Sequence, residues 1–221
     1  MMEWIKEEHD FMRGEIEPRV TFIGRNTKWW WVNRKPERMR RKKYYDTFLE
    51  YGNVLSHIKP EMTIGEVGPG PFGGIIEVCK IPAKKKVFID YIMEELYKLH
   101  FIEWPDNSLM VDAPAENIPL PDDSIDVLLS FNCLDHGWDT LAAIKESVRI
   151  SKCAFLAFDC RGDDNGEVAI RQDGKDKDHH QLLTYDYVHG FMDTEINKIA
   201  NWKMSDMKLK HFPVVFIHTE K

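Results

Sequence analysis

From residue 62 onward, short apolar runs alternate with segments whose apolar residues recur every three or four positions. Residues 62–67, 86–90, 108–112, 125–132 and 153–159 read as strands. Residues 71–80, 92–101 and 140–149 read as helices, the last carrying Leu141, Ile144 and Val148 on one face. Strands that are apolar almost throughout, joined by helices, predict a parallel sheet covered on both faces, the doubly wound α/β class. Upstream, Tyr45, Phe48, Leu49 and Leu55 follow helical spacing, with Pro36 placed in the first turn and the helix ending near 57–60. Downstream, a helix over 185–194 capped by Thr184 precedes two β-like segments, 201–209 and 212–219, joined closely enough to be antiparallel. The polar stretch 161–180, with Gly162, Gly166 and Gly174, is too long for a routine connection and reads as a lid.

Length and charge sharpen this picture. The 221 residues, 43% of them hydrophobic, suit a single domain, divided as a helical cap over 1–60 and a body over 61–221. No run of 18 apolar residues exists to span a bilayer, and the N-terminal residues lack the pattern of a signal peptide, so a cytoplasmic protein is expected. Cys79, Cys133, Cys153 and Cys160 form no C-x-x-C pair, which suggests neither a zinc knuckle nor a disulfide framework. The net charge of −7 is uneven, because residues 1–60 carry 13 Lys and Arg against 9 Asp and Glu. Seven cations crowd into 34–43 (Arg34, Lys35, Arg38, Arg40, Arg41, Lys42, Lys43); they suit RNA, a phosphorylated substrate or an anionic surface, or equally the solvated face of a helix. The acidic body is a poor nucleic-acid surface, so nucleic acid is not the expected partner. Trp29, Trp30 and Trp31 would either stack on an aromatic acceptor or wedge the lead-in segment onto the core.

The chemistry concentrates where the first strand runs into Gly68, Gly70 and Gly73, spaced G-x-G-x-x-G, with Asp90 at the end of the next strand. Such a loop brings a ligand onto the backbone, and a strand-end carboxylate accepts hydrogen bonds from a ribose diol. A dinucleotide would satisfy the same pattern. Glu66 separates the two, because a carboxylate two residues before the first glycine costs several kcal/mol unless paired. A cationic ligand pairs it, whereas pyrophosphate is repelled.

In these residues the chain resembles the class I S-adenosylmethionine-dependent methyltransferases, most of all the small-molecule, type 11-like branch. Glu66-Val67-Gly68-Pro69-Gly70 is similar to the acid-x-G-x-G loop of that family, and 87–90 to its second strand ending in the ribose-binding acid. The stretch 115–127, followed by Asn132-Cys133-Leu134-Asp135-His136, is similar to its fourth strand and flanking turns. The resemblance implies a Rossmann-like sheet of about seven strands, the last antiparallel, with the N-terminal helical extension over the cofactor. It assigns S-adenosylmethionine as cofactor, Glu66 to the methionine ammonium, Gly68, Gly70 and Gly73 to the loop, Asp90 to the ribose, and Tyr91 and Ile92 to the adenine face. Asn132 falls in the same pocket. Where the family has an acid for the adenine amino group this chain has Pro114, and Asp112, two residues earlier, is the expected substitute.

Methyl transfer needs alignment and dryness more than a fixed base. Asp135 and His136 are the catalytic candidates, with Asp178, His179, His180 and Tyr185 behind them. No metal is expected, since residues 161–172 lack the acids of a calcium loop and His179 and His180 are adjacent. The expected reaction moves a methyl group to an O, N or C atom of a small molecule or glycan intermediate. The rivals are an NAD-type oxidoreductase or epimerase, an RNA methyltransferase using 34–43, and a non-catalytic methyltransferase-like binding protein.

Overall fold

The computed structural model describes residues 18–93, 105–160, 169–170, 181–209 and 212–221. Helix α1 (Pro18–Tyr51) leads through a short turn of 3-10 helix (Val54–His57) into strand β1 (Thr63–Val67). Then follow α2 (Ile75–Val78), β2 (Lys85–Asp90), β3 (Ser108–Asp112), β4 (Ile125–Phe131), α3 (Thr140–Ile150) and β5 (Ser151–Asp159). A two-residue ribbon, β6 (Ala169–Ile170) with β7 (Gln181–Leu182), precedes α4 (Tyr185–Thr194), β8 (Asn201–Leu209) and β9 (Phe212–Glu220).

Seven strands form one sheet in the order β3-β2-β1-β4-β5-β9-β8. Strands β1 to β5 are parallel, and β9 runs antiparallel to both neighbours. The chain steps outward from β1 to β3 and then returns to build β4 on the other side, so the order reverses between β1 and β4. At such a reversal the connections leave in opposite directions and open a crevice at the carboxyl ends of the strands.

Side chains that alternate along each strand sort into two cores. Phe155 and Ala157 of β5 face Tyr45, Phe48 and Leu49 of α1, together with Ile64, Phe88, Leu129 and Phe216. Ala154, Leu156 and Phe158 face Ile144 and Val148 of α3 and Val188 and Met192 of α4. The helix caps follow their chemistry: the side chains of Asp139 and Thr184 accept the amides of Ala142 and Tyr187.

Three expectations need correction. The helix expected over 71–80 is a single turn, because Pro69, Gly70, Pro71, Gly73 and Gly74 keep the preceding chain in turns. Pro36 lies inside α1 rather than in its first turn, and the helix continues past the backbone bond that proline cannot donate. Leu55 belongs to the 3-10 turn and is 55% exposed, while Tyr45, Phe48 and Leu49 are buried as their spacing predicts. The ribbon β6–β7 begins inside the expected lid, whose other residues, like the Trp29–Trp31 side chains, lie outside the described residues. Among the described residues, no helix is long and apolar enough to cross a membrane.

Candidate cofactor and methyl-transfer site

The crevice at the carboxyl ends of β1, β2 and β4 is built by the loop after β1. Gly68, Gly70 and Gly73 all adopt left-handed backbone, at φ of 73°, 60° and 75°. At Gly68 the need for glycine is double, because an added Cβ would lie 1.9 Å from Cys133 Sγ, on the loop that follows β4. Above Gly70 nothing lies within 4 Å of the corresponding position, so the backbone there is open to a ligand.

Asp90 fixes this loop. Its Oδ2 accepts the Gly70 amide at 3.0 Å and its Oδ1 the Ile92 amide at 3.3 Å. A carboxylate has about four acceptor positions, which is the chemistry that a ribose diol would use. Asp112 ends the neighbouring strand in direct register with Asp90 and is exposed, which puts the two acids side by side at the crevice rim. Ile92 is 4% exposed and joins the α1-side core, with the half-buried Tyr91 packed against the same cluster.

Glu66 lies beneath the loop, 2% exposed, with Oε1 accepting the Ile75 amide at 2.6 Å and Oε2 the Ile76 amide at 3.0 Å. Burial outweighs these two bonds and pushes its pKa up to about 7, helped by the negative charges of Glu77 and Asp90. The pocket for this carboxylate exists because residue 74 is glycine: a Cβ there would sit 1.8 Å from Oε1. Gly74 does not belong to the G-x-G-x-x-G spacing, and only its doubling with Gly73 could have marked it in the sequence.

Beyond β4, Asn132 takes left-handed backbone at φ 53°, and its Nδ2 lies 3.4 Å from His136 Nε2. Asp135 is 2% exposed, and its Oδ2 accepts the Asp159 amide, tying the ends of β4 and β5 together. Of the two catalytic candidates, His136 is the one with its ring partly open. Tyr185 Oη donates to the Met204 carbonyl at 3.4 Å, while Asp178, His179 and His180 lie outside the described residues.

Two residues that the sequence did not single out as site residues hold the rim together. Glu116 Oε1 accepts the amides of Trp138 and Asp139. Arg149 donates to Glu146, Asp122 and the carbonyls of Ile118 and Leu120, and these carboxylates raise its pKa further. It thereby closes the turn ahead of β4.

Helix α1 covers the loop with part of its basic run. Arg38 Nη1 donates to the Phe72 carbonyl at 3.0 Å, and the Arg41 guanidinium lies 5.0 Å from the centre of the Phe72 ring. Arg40 and Lys42 point elsewhere and are neutralised by Glu37 and Asp46.

The residues suit a cationic nucleoside. Asp90 and Asp112 stand at the rim of an open glycine backbone with Glu66 buried beneath it, an acidic setting that favours an ammonium or sulfonium over a pyrophosphate. The family model for a methyltransferase domain matches residues 66–153, the segment that builds this crevice. No curated protein matches the chain in sequence. Among solved structures, a putative S-adenosylmethionine-dependent methyltransferase from Listeria monocytogenes is 12% identical, with 78% of this chain and 98% of that one covered at a TM-score of 0.54. The 1,6-didemethyltoxoflavin-N1-methyltransferase of Burkholderia thailandensis is 10% identical, with 88% and 90% covered at 0.57. The methyltransferase partner in a complex with the Trm112 activator from Haloferax volcanii is 12% identical, with 86% and 95% covered at 0.57. The sheet order, the glycine-loop geometry and the matched segment agree: residues 66–153 carry a methyltransferase domain, and the chain has the fold of S-adenosylmethionine-dependent methyltransferases of known structure.

Proposed function

We propose that the acceptor is a small molecule or glycan intermediate, methylated on an O, N or C atom in the space between the ends of β4 and β5 and helix α1. The observation that carries this reading is the division of the basic run. Arg38 and Arg41 turn inward onto the glycine loop, and Arg40 and Lys42 are paired with Glu37 and Asp46. A surface that follows a phosphate backbone needs its cations aligned and available for counterion release. A cap over a closed pocket needs them where α1 has put them. The Burkholderia neighbour, which has 1,6-didemethyltoxoflavin and S-adenosylhomocysteine bound, is consistent with such a pocket.

When bound, S-adenosylmethionine supplies an electrophilic methyl carbon on its sulfonium. In this reading Glu66 offers its negative charge to the ammonium, Asp90 accepts the ribose hydroxyls, Asp112 receives the adenine amino group, and Tyr91 and Ile92 wall the adenine. His136, held by Asn132, takes the proton of an O–H or N–H acceptor as the new bond forms, and Asp135 keeps the catalytic loop against β5. Incubating the protein with a cell extract and S-adenosylmethionine bearing a deuterated methyl group tests this. The label is expected in the small-molecule fraction by mass spectrometry and to be lost with His136→Asn. Label in the RNA fraction would overturn the reading.

A further inference from the structure

At the other end of the sheet, away from the crevice, three potential metal ligands meet. His57 comes from the 3-10 turn after α1, Cys153 from the start of β5, and His218 from near the end of β9. Their ligand atoms all lie within 4.8 Å of one another, and Cys153 Sγ is 3.5 Å from His218 Nε2. The register explains the meeting. His218 sits opposite Phe155, so Cys153, two residues back on the same face of β5, is its diagonal neighbour. Phe155 then fixes both imidazoles: His218 stacks on its ring at 4.4 Å and 6°, and His57 meets it edge-on at 5.1 Å.

We propose that His57, Cys153 and His218 form a binding site for one zinc ion, with a fourth position open to water. With Zn–S near 2.3 Å and Zn–N near 2.05 Å, tetrahedral geometry puts a sulfur and a nitrogen ligand about 3.5 Å apart, which the Cys153–His218 pair already meets. Closing His57 onto them takes a shift of at most about 1.5 Å, since all three ligand atoms already lie within 4.8 Å of one another. One thiolate and two imidazoles are a borderline donor set that suits zinc over magnesium or calcium. Binding converts the Cys153 thiol to thiolate and releases its proton to solvent; no electrons move. Cys153 is buried while both histidines are half-exposed, which leaves a path for the ion. Glu220, directly across the ladder from Cys153, adds negative charge beside the site. The three ligands lie far apart in sequence, so no spacing motif announces them, and the expectation of no metal rested on such motifs.

Equilibrium dialysis of the full chain against zinc alone, read by elemental mass spectrometry, tests the site. One zinc per chain is expected, with affinity at least tenfold weaker in Cys153→Ala and in His57→Ala. Cobalt(II) is expected to give a near-ultraviolet thiolate charge-transfer band that Cys153→Ala abolishes. Circular dichroism melting of each variant shows that it is folded, and zinc is expected to raise the melting temperature of the parent and not of the variants. Absence of stoichiometric zinc in the parent, or full retention of zinc and of the cobalt band in folded variants, would overturn the proposal.

Discussion

Asp90 holds the Gly70 amide of the glycine loop, and in the proposed site the same carboxylate also accepts the ribose hydroxyls. Asp90→Ala is therefore expected to weaken S-adenosylhomocysteine binding by about 2–4 kcal/mol in calorimetric titration, losing a charge-assisted contact and the loop tether together. Glu66 sets a pH dependence of definite sign. Its folded pKa of about 7 lies above the ordinary value of 4.5, so its contribution to stability is fully present below about pH 4.5 and lost as pH rises through about 7. The shift amounts to roughly 3 kcal/mol. Urea unfolding at pH 5 and pH 8 is expected to show that loss in the parent and not in Glu66→Gln. A bound ammonium favours the ionised form, so cofactor binding at pH 6 is expected to expel a proton, visible as a buffer-dependent enthalpy. Gly74→Ala drives a methyl group into the same carboxylate and is expected to cost about 1–3 kcal/mol in unfolding experiments and to weaken cofactor binding with it. Glu66, the three glycines and Asp90 stood out as a pattern because the glycine spacing and the acid at the end of the next strand form a recurring motif. Gly74 was not, because its reason is a carboxylate eight residues upstream in a buried pocket.

Among the elements, α1 carries the largest difference between expectation and structure. Its buried face was readable from Tyr45, Phe48 and Leu49, whose apolar spacing is a local signal. The inward turn of Arg38 and Arg41 was not, since charge alone does not say which cation meets a carbonyl across the fold. The two groups separate experimentally. Arg40→Ser with Lys42→Ser removes surface ion pairs that water and salt screen, and is expected to leave cofactor affinity unchanged in calorimetric titration. Arg38→Ala frees the loop at Phe72 and is expected to weaken S-adenosylhomocysteine binding about three- to tenfold, a loss near 1 kcal/mol. Strand positions were the most legible elements, because runs such as 125–131 are apolar on both faces. The turn after β1 was the least, because the same glycines and prolines that make it a site stop the helix expected there.

At the scale of the molecule, a sheet covered on both faces was legible because its strands are apolar almost throughout, whereas the strand order and the convergence of His57, Cys153 and His218 depend on pairing between distant segments that no local pattern encodes. Phe216 of β9 shows how much rests on that pairing: it contacts Phe48, Tyr51 and Phe155 and is 5% exposed. Phe216→Ala is expected to destabilise the protein by about 3–5 kcal/mol in urea unfolding. Strand β9 is also the last in sequence of the sheet yet lies inside it, between β5 and β8. Until it arrives, β5, buried along nearly its whole length, is a bare edge with unpaired amides and carbonyls. During synthesis the strands β1 to β5 can therefore assemble first, but their exposed β5 edge stays prone to sticking to other chains until β9 slots in.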